Sequence, residues 1–130
     1  MMIYKKASEE EVKKILGRDK KKVLELLDDN KEKEYRLNEI GFYGISIVDR
    51  IGEVNIVYVK QSKRGNGYAK EMTIDASLEL LWRDDIDSVL YNVSNPFMNN
   101  FIRQICGNTI GKNDYGETIY ELKKPKGLFK

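Results

Sequence analysis

The sequence predicts one α+β domain: a central mixed, mostly antiparallel sheet with helices on both faces. Three observations lead there. The apolar run Val54-Asn55-Ile56-Val57-Tyr58-Val59 reads as a strand buried on both faces. A helical period follows from Ala69 to Trp82, and then a second apolar run, Ser88 to Val93. Such a strand–helix–strand unit places its two strands parallel, with a crossover helix between them. The strands outside this unit are joined by short turns, as antiparallel neighbours are. At 130 residues the chain is read as a single domain, 1–130, with enough length for a real core.

The elements follow in chain order. A short first strand precedes Ser8-Glu9-Glu10-Glu11, a capping box with Ser8 as N-cap and Glu11 at N3. Val12, Ile15 and Leu16 continue at helical spacing until Gly17 interrupts. Val23, Leu26 and Leu27 mark a second helix, closed by the polar stretch Asp28-Asp29-Asn30-Lys31. Glu34 to Ile40 is a weaker strand. Phe42 to Val48 is rich in aromatic and β-branched residues, as strands are. Asp49-Arg50-Ile51-Gly52 reads as a turn into the strand Glu53 to Lys60. In the long helix, Ala69, Met72, Ala76 and Leu80 form one stripe, widened by Ile74, Leu78 and Leu81. Asn95-Pro96 opens a helix that ends at Gly107. Asn108 to Lys112 and Glu117 to Lys123 flank the turn Asn113-Asp114-Tyr115-Gly116 as a hairpin.

Composition narrows the chemistry. Charged residues make up 34% of the chain but the net charge is only +2, too even a balance for a nucleic-acid binder. The basic end, Lys123, Lys124, Lys126 and Lys130, is expected to be a solvated tail. One cysteine, Cys106, rules out an intramolecular disulfide and fits a reducing, cytoplasmic compartment. Cys106 itself reads as a small buried hydrophobe. No signal peptide, membrane span or metal site is expected. There is no histidine, which excludes Ser-His-Asp and Cys-His catalysis.

Arg64-Gly65-Asn66-Gly67-Tyr68-Ala69 lies between the buried strand and the long helix. Helix starts carry unpaired N–H groups and the positive end of the dipole, and glycine lets a phosphate come close. A type I′ hairpin would explain Asn66-Gly67, but the segment that follows has helical period rather than strand alternation. A P-loop would need Gly-Lys-Ser/Thr at the helix start, which is absent. A Rossmann turn would need a third glycine and an early strand.

The segment resembles the Arg/Gln-x-x-Gly-x-Gly/Ala signature of the GNAT superfamily of N-acetyltransferases. The frame around it matches as well, from Phe42 to Tyr120 in element order. The resemblance implies the GNAT acyl-CoA N-acyltransferase fold and a pyrophosphate cradle for acetyl-CoA or coenzyme A. The cradle would consist of the amides from Arg64 to Ala69: Arg64, Gly65, Asn66, Gly67, Tyr68 and Ala69. Arg64 and Lys63 would add charge, although Lys63 reads equally well as a solvated lysine. The pantetheine arm would pair with the main chain of Val57 and Val59, which requires this strand to splay away from Ser88–Ser94. A backbone N–H near Val59 is the implied oxyanion donor. Asn95 matches the asparagine that contacts the arm, and it also reads as a helix N-cap. Glu53 stands near the glutamate base of the histone-acetyltransferase branch, and also reads as an exposed strand-end carboxylate.

One position departs from the pattern. The tyrosine that protonates the leaving thiolate in the family corresponds to Ile102, leaving Tyr91, Tyr115 and Tyr120 as candidate acids. The expected function is transfer of an acetyl group from acetyl-CoA to a primary amine. The amine would be carried by a small molecule, peptide or protein. The alternative is a CoA-binding regulatory or protein-interaction module with little turnover. The expected state is a monomer, or a homodimer through the C-terminal hairpin, with no nucleic-acid or membrane partner.

Overall fold

The computed structural model describes residues 2–27, 32–93, 96–106, 109–114 and 116–125. Among them, seven strands form one sheet in the order β1-β2-β3-β4-β5-β7-β6. The strands are β1 (Lys5–Ala7), β2 (Glu34–Leu37), β3 (Gly41–Val48), β4 (Ile51–Val59), β5 (Ser88–Val93), β6 (Thr109–Lys112) and β7 (Thr118–Lys123). The helices are α1 (Glu9–Lys13), α2 (Lys20–Leu27), α3 (Tyr68–Leu81) and α4 (Pro96–Cys106). Every strand pair is antiparallel except β4 with β5, the parallel pair joined by α3. The predicted element order is therefore the observed one.

Strand alternation divides the core in two. On one face Ile45, Val54, Val59, Val89 and Tyr91 pack with Met72, Ala76 and Leu80 of α3 and Ile102 of α4. On the other, Phe42 and Tyr58 pack with Val12, Val23 and Leu27 of the N-terminal helices. The capping box forms as read: Glu11 N–H donates to Ser8 Oγ (3.2 Å) and Ser8 N–H donates to Glu11 Oε1 (3.2 Å).

Four readings change. The turn before β4 is only Asp49-Arg50, both at positive φ (52° and 66°), so Ile51 and Gly52 belong to the strand. Two residues at positive φ match the strand twist of a tight hairpin. Arg50 is tied across it to Asp87 through Nε and Nη2 (2.9 and 3.0 Å). In α3, Ile74 is exposed while Thr73 and Asp75 are buried. Asp75 is covered because Tyr4 Oη and the Met2 N–H both donate to its carboxylate (2.7 and 3.2 Å). Lys123 ends β7 and Lys124 donates to the Arg83 carbonyl, so these two lysines close the sheet and helix rather than starting a tail. Lys126, Lys130, Asp28 and Asp29 lie outside the described residues. Lastly, α1 is a single short helix ending at Lys13, and a 3-10 turn, Gly17–Asp19, leads into α2.

Gly41 is required by a close approach. A Cβ there would stand 1.9 Å from the Tyr58 carbonyl oxygen, which is backbone and cannot swing aside. Gly41→Ala is expected to destabilise the fold by about 1–3 kcal/mol, the usual cost of overpacking. A lowered urea midpoint at unchanged m-value would show it.

Candidate functional site

The sheet opens at its centre. β4 and β5 pair only from Ile51↔Ser88 to Val54↔Tyr91, yet β4 runs on to Val59 and β5 to Val93. The parting coincides with a β-bulge. Gly44 pairs with Ile56 and Ile45 with Val54, which leaves Asn55 as the extra residue on β4. A bulge bends its strand and increases its twist. That bend carries the end of β4 away from β5.

The main chain beyond the bulge faces the opening. Lys60 N–H donates to the Ile40 carbonyl (2.9 Å) across the β3–β4 pair. Hydrogen-bonded and non-bonded pairs alternate along antiparallel strands. Ile56, Tyr58 and Lys60 therefore bond to β3, while Val57 and Val59 turn their N–H and C=O groups toward the gap. The Val59 carbonyl accepts from Arg64 Nε (2.9 Å).

At the end of β4 the chain makes a 3-10 turn, Gln61–Lys63, and then enters α3. Gly65 and Gly67 hold positive φ (85° and 78°) with open space where a Cβ would stand, so these glycines answer a backbone need and not a crowded one. Gly67 is the N-cap of α3 and makes no side-chain cap bond. The first intrahelical bond is Glu71 N–H to the Gly67 carbonyl (3.4 Å). The amides of Gly67, Tyr68, Ala69 and Lys70 thus have no intrahelical acceptor. Of the amides from Arg64 to Ala69, that of Arg64 donates to the Gln61 carbonyl (3.3 Å), and the run without an intrahelical acceptor extends to Lys70. Asn66 Nδ2 pins the turn by donating to the Lys63 carbonyl (3.1 Å).

Arg64 lines the cavity at the helix start, and its guanidinium is held by the strand and by the segment before α2. Its guanidinium bonds the Val59 carbonyl, pairs with Asp19 (2.6 Å) and lies over the Tyr58 ring. Tyr58 Oη also donates to Asp19 (2.8 Å). These bonds hold the Asp19 carboxyl below its ordinary range, that from Tyr58 first and that from Arg64 second. Lys63 is exposed on the rim of a cavity of about 370 Å³ that also involves Val59, Gly67, Ala69 and Lys70. Phe97 and Met98 of α4 form its far wall, and Lys70 Nζ reaches across to the Phe101 ring (5.6 Å).

A second cavity, about 170 Å³, lies at the splay itself and shares Met98 with the first. It passes through the sheet. Thr73, Tyr91 and Ile102 bound it on the α3–α4 side, and Leu26, Asn55, Asn92 and Glu117 on the other. The two cavities lie on either side of Met98, one at the helix start and the other at the gap between β4 and β5.

The remaining candidates fall as follows. Glu53 accepts from Asn92 Nδ2 (2.5 Å), on the side of the sheet away from α3. Asn113 joins the same network: its Nδ2 donates to Asn92 Oδ1 (3.3 Å) and to Glu117 Oε1 (3.0 Å). Tyr91 lines the cavity, but its hydroxyl is bonded to Ser77 (2.6 Å), and burial raises the phenol to about 12. Ser77 itself donates to the Thr73 carbonyl (2.7 Å), so the Tyr91 proton points at Ser77. Tyr120 donates to Asn99 Oδ1 on α4 (2.9 Å). Both hydroxyls are thus engaged with side chains of the helices, and Ile102 is buried in the wall of the splay cavity. Burial pushes the Cys106 thiol up to about 11, in keeping with an unreactive side chain. Asn95 and Tyr115 lie outside the described residues.

Sequence reasoning missed Asn55, Asn92, Glu117 and Asp19. Asn55 had a signal, being the one amide side chain in the otherwise apolar run Val54 to Val59. The others had none, because their neighbours are distant in sequence.

No protein-family model matches the sequence, and neither does any curated protein. Solved structures do. Tetrahymena GCN5 superposes with a TM-score of 0.63 at 15% identity, covering 95% of this chain and 97% of that one. The chain has the GNAT fold. A GNAT family N-acetyltransferase of Escherichia coli, YhbS, solved with CoA, gives 0.61 at 13% identity over 95% and 81% of the two chains. A Bacillus subtilis acetyltransferase, also solved with CoA, gives 0.59 at 15% identity over 93% and 96%.

Proposed function

We propose that the protein is an N-acetyltransferase that uses acetyl-CoA as acetyl donor and a primary amine as acceptor. One observation carries the reading: amides without an intrahelical acceptor at the start of α3 follow directly on the strand that parts from β5, with a cavity at each place and Met98 lining both. Proteins of this fold solved with CoA, at low identity, support the same reading.

The residues fit the donor. The amides of Gly67 to Lys70 offer donors and a positive helix end to a pyrophosphate, and the glycines leave room for it. Lys63 stands where it can add charge. Val57 and Val59 present main-chain groups along the gap, as an added strand requires. Bound acetyl-CoA supplies an acetyl group already activated as a thioester. An acceptor that arrives as an ammonium first gives up one proton; the neutral amine nitrogen then attacks the carbonyl carbon, forming C–N as C–S breaks, and its next proton passes to the leaving thiolate. The Val59 N–H faces the charge that develops on the carbonyl oxygen. Glu53 and Glu117, joined through Asn92 and Asn113, give the acceptor's proton a carboxylate sink.

The test is direct. Calorimetric titration of the purified protein with acetyl-CoA is expected to show one site, and thiol release should depend on added amine. Absence of acetyl-CoA binding would sink the proposal. The cytoplasm is the proposed compartment, since the single thiol needs no oxidising environment; no described helix is long and apolar enough to cross a membrane.

A further inference from the structure

A net charge of +2 conceals an uneven distribution. Between Lys14 and Lys22 stand five cations, Lys14, Arg18, Lys20, Lys21 and Lys22, against the single carboxylate of Asp19. Five positive charges and one negative give that stretch +4, so the rest of the chain carries −2. All five cations are exposed. Asp19 is engaged by Arg64, from outside the stretch (2.6 Å), and by the Tyr58 hydroxyl (2.8 Å). Lys13, one residue upstream, pairs with Glu9 and Glu10. The five cations make no ion pair among the described residues. Their placement also works against the fold. Lys20, Lys21 and Lys22 begin α2, and no acidic residue stands in its first turn. A helix start is the positive end of the dipole, so each of these cations weakens the helix it begins. In α1 the same position holds Glu9, Glu10 and Glu11. Solubility would be served better by Asp or Glu. Positive charge kept where it costs stability points to a partner of negative charge.

The chemistry of the surface narrows that partner. From Lys14 to Lys22 there is no aromatic residue, and the neighbouring apolar side chains of Leu16 and Val23 are buried. Protein interfaces are built on aromatic and arginine anchors and are poor in lysine. Single-stranded nucleic acids are held by stacking on aromatic rings. Lysines on flexible stems act as point charges and suit a regular row of phosphates. We propose that Arg18 and the first turn of α2, flanked by Lys14, form a docking surface for the phosphate backbone of a nucleic-acid duplex, without regard to base sequence. The surface stands apart from the acetyltransferase reading. The Asp19–Arg64 pair nevertheless sets it beside the turn that precedes α3, so the phosphates of CoA are the rival occupant.

The experiment follows fluorescence anisotropy of end-labelled duplex RNA and duplex DNA titrated with the full chain, each in two unrelated sequences, over a range of salt. Binding is expected at about 1–100 μM, with log K falling against log salt at a slope of about −3 to −4, as about four phosphate contacts require. Both sequences should bind alike, and the stronger of the RNA and DNA arms names the source of the backbone. Changing Lys20, Lys21 and Lys22 together to Gln should bring the slope near −1, at about one unit per lysine. Changing all three to Glu should abolish binding and raise the thermal midpoint, because the charges then agree with the helix dipole. The same change in net charge made at the exposed Lys6, Lys112 and Lys123 should leave binding within about twofold. Loss of binding in that control equal to the loss in the α2 variant would overturn the proposal. So would no binding of either duplex at low salt, a tenfold preference for one sequence, or tighter binding of polyglutamate of matched charge. Saturating CoA should leave duplex binding in place; displacement by CoA would assign the lysines to the donor instead.

Discussion

Replacing Gly67 with valine is expected to raise the KM for acetyl-CoA more than tenfold while leaving the fold largely intact. Gly67 sits at φ 78° as the N-cap of α3, where its carbonyl accepts the first helical bond. A β-branched residue is disfavoured there by about 1–2 kcal/mol. Nothing lies within 4 Å of the Cβ position, so no packed neighbour is displaced. The turn relieves the strain by rotating toward negative φ. That rotation moves the amides of Gly67 to Lys70 out of convergence, and the pyrophosphate loses its donors. Calorimetry with CoA, together with thermal unfolding, separates the two effects. Unchanged CoA affinity would show that the amides of this turn hold no phosphate.

Arg64→Ala is expected to lower stability by about 2 kcal/mol and to weaken CoA binding severalfold. The side chain is half exposed, so its ion pair with Asp19 counts for little in itself. The larger loss is the charged hydrogen bond to the Val59 carbonyl, of a kind worth about 1.5–3 kcal/mol. Without it the end of β4 is free to move relative to the turn. Arg64→Lys should not restore the effect, because one ammonium cannot serve Val59, Asp19 and the Tyr58 ring with the geometry of a planar fork. Acid supplies a second readout. The Asp19 carboxyl lies below the ordinary aspartate value of about 3.9 in the folded state. The unfolded chain therefore binds that proton first, and the stability Asp19 contributes is present above that value and lost as the pH falls through the lower folded one. The gap in urea midpoint between parent and Arg64→Ala should be full at neutral pH and narrow below about pH 4. A gap that stays constant to pH 3 would mean that Asp19 is not part of the latch.

Local signals in this chain were strong where a short segment decides its own conformation. The Ser8–Glu11 box, the α3 stripe and the Gly65–Gly67 turn each combine capping, period and backbone freedom within a few residues. Boundaries failed where a distant partner decides them. Asp49 and Arg50 turn more tightly than their composition suggests because Asp87 holds Arg50. Asp75 is buried, against its residue type, because Tyr4 and Met2 cover it. Arg64 was legible as a positive charge beside the cradle, yet its charge is directed to Asp19, 45 positions away.

The order of strands and helices, the parallel unit at the centre and the helix start with its glycines were determined by the sequence alone. They depend on periodicity and on residues adjacent in the chain. The tertiary structure decided the rest. Asn55 becomes a bulge only because Gly44 and Ile45 on the neighbouring strand pair around it. That bulge parts β4 from β5, and only the parting brings Glu117 from the far hairpin and Leu26 from the second helix to one cavity. Register and long-range packing set which side chains meet, and no local pattern records them.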